Sequence, residues 1–129
     1  MTSVRAVMSR DVLAVGSGMS IVEVAQQMVA RNVGAVLVVD DGRLVGIMTE
    51  RDLMRAIARG ALDAAVVREC MTKNPETIEP DATPEYAAVL MIHGGFRHLP
   101  VTEGDQVVGM LSICDLIPVA LDDAAPRGV

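Results

Sequence analysis

Two phrases in this sequence combine residue types that could do chemistry with a fixed spacing: Gly46-Ile47-Met48-Thr49-Glu50-Arg51-Asp52 and Gly109-Met110-Leu111-Ser112-Ile113-Cys114-Asp115. Each reads glycine, two apolar residues, a hydroxyl residue, two further residues, aspartate. A hydroxyl three residues ahead of a carboxylate is a capping box, whose side chains satisfy free amides at a helix start without any ligand. The same helix start offers unpaired N–H groups and a positive dipole end to an anion. Its first-turn carboxylate can accept both hydroxyls of a ribose. At the mouth of an aliphatic cleft the set suits a nucleoside: apolar walls for the base, Asp for the sugar, donors for a phosphate. Capping and binding are compatible, and the spacing alone does not choose between them.

Chemistry of other kinds lacks its residues. A general base, a nucleophile or a metal set is needed for turnover, and no Ser/His/Asp phrase, His/Cys cluster or nucleophile elbow is present. Both histidines, His93 and His98, fall in the second half, and no glycine-rich Lys-Ser/Thr phosphate loop occurs. We therefore expect no enzyme and no required cofactor or metal. Cys70 and Cys114 have no CxxC spacing, and no structural disulfide is expected between them. Met28, Met48, Met91 and Met110 fall on inward positions and read as core filler rather than as a metal or cofactor set.

The formal charge of −6 argues against nucleic acid, since affinity for a phosphate backbone comes from clustered Lys and Arg. Apolar runs such as Ala35 to Val39 fall far short of the roughly 20 residues of a membrane span, and the N-terminus lacks a charged-then-apolar secretion signal. A cytoplasmic location is the expectation. With 129 residues, half of them apolar and almost none aromatic, one module with an aliphatic core is expected.

The elements that must position these residues are organised by an internal repeat. Val4-Arg5-Ala6-Val7-Met8-Ser9 returns as Val67-Arg68-Glu69-Cys70-Met71-Thr72, an offset of 71 − 8 = 63 that holds without a gap through Asp52-Leu53 and Asp115-Leu116. Each half reads as strand, helix, strand, strand, helix. The spacing predicts a strand over Val12 to Val15 and a helix capped by Ser20 with Glu23, running to about Arg31 with Val24, Met28 and Val29 as its apolar set. A buried strand follows over Ala35 to Val39, then a turn at Asp41-Gly42 and a returning strand over Leu44 to Met48. A second helix is expected from about Glu50 to Arg59, ended by Gly60. In the second half Thr83-Pro84 is the cap and first helical residue, and Glu103-Gly104-Asp105 is the turn. Pro118 should kink or shorten the last helix, and residues 122–129 should form a disordered tail. The domains are therefore expected at 1–62 and 63–121. A half of about 60 residues has little core of its own, so the fold class expected is α/β (α+β), with two βαββα repeats packed face to face about a pseudo-twofold axis.

The gapless repeat, both Gly-h-h-[Ser/Thr]-x-x-Asp phrases, the openings Met8-Ser9 and Met71-Thr72, and Arg97-His98-Leu99-Pro100-Val101 together resemble a pair of CBS (cystathionine β-synthase) motifs, a Bateman module, over about residues 4 to 120. The resemblance implies stacked βαββα units, disc-like homodimers, and binding of AMP, ADP or ATP, with S-adenosylmethionine and NAD(H) as further ligands. It implies sensing rather than turnover. Residue by residue, it implies that Asp52 and Asp115 hold ribose hydroxyls and that Thr49 and Ser112 contact sugar or phosphate. Each cleft is expected to be completed from the other repeat: Thr77, Ile78 and Phe96 opposite Thr49 and Asp52, and Ala14, Val15, Val33, Gly34 and Ala35 opposite Ser112 and Asp115. Arg97, His98 and Pro100 complete the expected ligand set, with Arg97 and His98 placed where related modules carry basic residues against phosphates. The first half has Gly34 and Ala35 there, so unequal clefts are expected, the one with Arg97 better equipped for phosphate. The output would run to a separate regulated protein or to the chain's own oligomer. The alternative is a ligand-independent scaffold, in which the phrases only cap helices.

Overall fold

The computed structural model describes residues 2–124, and these form two compact units. One is the continuous stretch Val12–Pro75; the other joins the residues up to Asp11 to those from Glu76 onward.

In the continuous unit, β1 (Ala14–Val15) leads through α2 (Ile21–Arg31) to β2 (Ala35–Asp40), and β1 pairs parallel with β2. The β1 strand is shorter than the Val12 to Val15 expected. Ser20 caps α2, its Oγ accepting the Glu23 N–H at 3.2 Å, and Asn32 closes the helix in the left-handed conformation. The buried stripe of α2 is Ile21, Val24 and Met28, at i, i+3 and i+7. Val29, read from the sequence as part of that stripe, is 82% exposed. One residue beyond Met28 is a further 100° round the helix, which turns Val29 away from the sheet.

The turn Asp41-Gly42 has both residues at positive φ, 51° and 76°, the signature of a two-residue hairpin turn that follows the twist of its strands. It returns the chain antiparallel as β3 (Arg43–Thr49), and α3 (Glu50–Ala58) starts directly from the strand's end. After α3, the short helix α4 (Val67–Cys70) and strand β4 (Thr72–Lys73) add to the same unit, β4 pairing with β3 to complete a four-stranded sheet in the order β1-β2-β3-β4. The core is aliphatic: Val15, Ile21, Val24, Val36, Val38, Met48, Ala56 and Val67 are buried together. At its edge the Ser17 hydroxyl and then the Ser17 amide, 3.0 Å from Asp40 Oδ1, hold the Asp40 carboxyl below the ordinary aspartate range, with the Arg68 charge adding to the effect.

The second unit repeats this plan at the same offset. Here α5 (Pro84–Gly94) is capped by the Thr83 hydroxyl on the Tyr86 amide with Pro84 in the first turn, and β5 (His98–Glu103) pairs with β6 (Gln106–Ser112). Each β5–β6 pair is a β2–β3 pair moved by 63: Ala35 with Thr49 becomes His98 with Ser112, and the bulge after Val38 recurs after Val101. The outer strands thin to single bridges, Ile78 with Val101 and Ser9 with Met110, at the places of β1 and β4. The final helix, α6 (Ile113–Ala124), passes through Pro118 without being shortened at that point. It also continues past Asp122, where a tail was expected to begin; residues 125–129 of that tail lie outside the described residues.

The units of packing do not coincide with the repeats read from the sequence at 1–62 and 63–121. Helix α1 (Val4–Val7) buries Val4 in the core of the second unit, where the Val4 N–H donates to the Ala82 carbonyl and the Arg5 N–H to Pro80. In the continuous unit the Val67 N–H donates to Met19 and the Arg68 N–H to Ser17, the same bonds at the same offset. The opening segment of each repeat is thus built into the unit of the other. Gly46 and Gly109 permit this: a Cβ on Gly46 would lie 2.5 Å from Met71 Sδ and 2.9 Å from the Thr72 carbonyl, and one on Gly109 would meet Met8 and Ser9 in the same way.

Candidate functional site

The two phrases singled out by their spacing lie at the two strand-to-helix junctions, β3 to α3 and β6 to α6. In the first, the Thr49 N–H donates to Asp52 Oδ2 at 3.0 Å and the Thr49 hydroxyl to the same oxygen at 3.2 Å. The Asp52 N–H returns a bond to Thr49 Oγ1 at 3.4 Å, closing the capping box. One carboxylate oxygen is thereby committed to the cap. The other, Oδ1, lies 4.0 Å from Arg55 Nη1, and the Asp52 residue is 6% exposed. In the second junction the Ser112 N–H donates to Asp115 Oδ2 at 2.7 Å, and both residues are half-buried. The position of Arg55 is taken by Pro118 in α6.

Each helix start is tied to the segment ahead of the hairpin in its own unit. The Glu50 N–H donates to the Gly34 carbonyl at 3.1 Å, and the Ile113 N–H to the Arg97 carbonyl at 2.8 Å. These bonds satisfy the first helical amide of α3 and of α6 and bring Val33, Gly34 and Ala35 beside Thr49, and Phe96, Arg97 and His98 beside Ser112. Sequence reasoning missed both ties, because a backbone carbonyl carries no residue signature. The side chains at the two places are unequal: glycine at 34 and an exposed arginine at 97.

The remaining candidates distribute between the units. Ala14 and Val15 form β1, paired with Leu37 and Val38, with Ala14 exposed and Val15 buried. Thr77 is exposed; Ile78 is buried and bridges Val101. Pro100 is buried in β5, opposite Met110, and His98 is half-buried at the start of that strand, opposite Ser112. The four methionines read as core filler are all buried. Cys70 is half-buried and Cys114 exposed. Among the described residues no group of three or more His, Cys, Asp or Glu could hold a metal ion, and no helix is long and apolar enough to cross a membrane.

The family model for the CBS domain matches this chain twice, over residues 4–59 and 67–122. The chain is 34% identical over 117 residues to the CBS domain-containing protein YhcV of Bacillus subtilis, covering 90% of this chain and 84% of that one. It is also 34% identical over 122 residues to the CBS domain-containing protein CBSCBSPB2 of Arabidopsis thaliana, where 90% of this chain spans 23% of a longer protein. Among solved structures it is similar to the CBS domain pair of protein MJ0100 in complex with 5′-methylthioadenosine and S-adenosyl-L-methionine, with a TM-score of 0.89 and 27% identity over 95% of this chain and 98% of the other.

Proposed function

Because the chain belongs to the CBS domain family, we propose that it is a regulatory module that binds an adenosine-containing ligand at the Thr49–Asp52 and Ser112–Asp115 helix starts and performs no chemistry. The observation that carries this reading is the geometry of the Asp52 cap. Both bonds from Thr49 converge on Oδ2, so that Oδ1, whose other neighbour is the Arg55 guanidinium at 4.0 Å, has lone-pair capacity for a further donor such as a ribose hydroxyl. Asp115 repeats the amide bond in the other unit. The similarity to a structure whose CBS pair holds two adenosine compounds supports the same ligand class.

In this reading the aspartates take the ribose, Thr49 and Ser112 contact sugar or phosphate, and Val15, Val33, Ala35, Ile78, Phe96 and Pro100 supply apolar contacts. Arg97 and His98 favour a phosphate at the Ser112–Asp115 start. AMP, ADP and ATP are the first candidates, then S-adenosylmethionine and NAD(H). The ligand acts by binding one arrangement of the protein better than another, and a homodimer or a separate protein reads the shift. The test is calorimetric titration with AMP, ATP, S-adenosylmethionine and NADH, with Asp52→Ala and Asp115→Ala variants checked for folding. Saturable binding that one substitution removes is expected. Silence from all four, with the protein folded and carrying nothing already, would overturn the reading.

One observation favours a second reading, a ligand-independent scaffold: the Thr49–Asp52 box closes on its own residues. The helices α5 and α6 also carry exposed Tyr86, Val89, Ile92, Ile117 and Leu121. Under it, Asp115→Ala leaves association with a partner unchanged and no adenosine ligand binds.

A further inference from the structure

The two repeats diverge just before their hairpins. The last residue of α5 is Gly94, followed by Gly95 at φ 70° and then Phe96, the chain's one phenylalanine. A Cβ on Gly94 would overlap Cε1, Cδ1 and Cζ of the Phe96 ring, so the ring lies against the space a side chain would fill. Gly94 itself is helical; the left-handed residue is Gly95. Conformational freedom therefore does not account for a glycine at 94, where alanine is the better helix former. Space for the ring does. In the other repeat the corresponding positions are Arg31 and Val33, and the turn is made with neither glycine nor ring.

The ring sits at one end of a short chain of bonds. The Gly95 and Phe96 amides both donate to the Met91 carbonyl, at 2.9 and 3.2 Å, and the carbonyl of the next residue, Arg97, accepts the Ile113 N–H at 2.8 Å. Ile113 is the first residue of α6, between Ser112 and Asp115. We infer that Gly94 is a positioning residue for this helix start: by leaving its place to the Phe96 ring it keeps the Arg97 carbonyl in reach of the Ile113 amide. Its consequence for ligand affinity rests on the nucleotide reading above; the positioning itself does not.

The experiment is amide hydrogen exchange by NMR on the full chain for Gly94→Ala and for Gly94→Ala with Phe96→Val, followed by titration with AMP. Gly94→Ala should speed exchange at Ile113 by about tenfold or more and leave Glu50, whose acceptor is Gly34, unchanged. Phe96→Val in the same chain should restore Ile113 protection, because valine serves at the matching position 33. Asp115-dependent AMP affinity should fall in Gly94→Ala and recover in the double variant in parallel with Ile113 protection. Unchanged Ile113 exchange in folded Gly94→Ala, or acceleration that persists in the double variant, would overturn the inference. If Gly94→Ala does not fold, a double variant that folds with Ile113 protected supports it, and one that also fails to fold overturns it. Absence of binding by AMP, ATP, S-adenosylmethionine and NADH in the unmodified protein, with the exchange pattern as expected, sinks the nucleotide reading and leaves the positioning role standing.

Discussion

Asp52→Ala should destabilise the protein more than Asp115→Ala, although the two aspartates occupy the same place in the repeat. In the first case the Thr49 amide and hydroxyl lose a shared acceptor at 3.0 and 3.2 Å, in a pocket where the carboxylate is 6% exposed and water cannot readily replace it. Loss of a cap costs about 0.5–2 kcal/mol, and a hydrogen bond to a charged acceptor nets about 1.5–3 kcal/mol. Both figures describe the same bonds and are not summed. Removing a buried carboxylate also recovers part of its desolvation cost, which keeps the expectation at about 2 kcal/mol. In the second case one bond of 2.7 Å is lost from a half-buried pair, and water can reach the freed amide, so about 1 kcal/mol is expected. For a chain of this size each kcal/mol moves Tm by roughly 4 °C, giving drops of about 8 °C and about 4 °C. The assay is scanning calorimetry without ligand at neutral pH, checked by urea unfolding. Equal losses, a larger loss for Asp115→Ala, or two changes under about 0.5 kcal/mol would show that these carboxylates do not hold the helix starts as argued.

Gly46→Ala should cost about 2 kcal/mol, the middle of the range for overpacking, because the Met71 thioether can swing aside but the Thr72 carbonyl is fixed in β4; urea unfolding reads it, with Gly109→Ala expected to behave alike. Asp40→Asn should flatten the acid limb of the stability curve. The Ser17 bonds lower the folded pKa of Asp40, so its contribution is complete above the unfolded value and is lost as pH falls through the lower folded one, below about pH 4. Melting temperatures of the two proteins measured from about pH 6 down to about pH 2.5 should diverge at neutral pH and converge at the acid end.

What could be read from the sequence was local or periodic. The caps at Ser20, Thr49 and Thr83, the Asp41-Gly42 turn and the buried runs of β2 and β5 each depend on residues a few positions apart, and the 63-residue offset carried each feature into the second half. Val29 was misread because a stripe judged by apolarity alone does not tell position 28 from its neighbour when both are apolar. The exchange of opening segments was invisible: nothing in Val4 to Ser9 distinguishes packing against Ala82 from packing against Met19, which its own repeat would offer. At the candidate site the hydroxyl and carboxylate were legible by spacing. The Gly34 and Arg97 carbonyls and the fit of Phe96 over Gly94 were not, since they arise where the chain folds back on itself.

The exchanged opening segments also bear on how the chain is made. Synthesis delivers residues in order, and domains close as their parts emerge. The unit Val12–Pro75 is complete once Pro75 has left the ribosome, and its outermost strand pairing, Ile47 with Thr72, spans 25 residues. Its counterpart, Ser9 with Met110, spans 101 residues, which adds about 1 kcal/mol of loop-closure entropy and a longer wait. Throughout that wait Val4 has no core to enter, because Leu99, Val101 and Leu111 have not yet been synthesised. Val4 to Ser9 are thus made well before the residues they pack against, and a chaperone that shields exposed apolar side chains of a nascent chain would act on this segment.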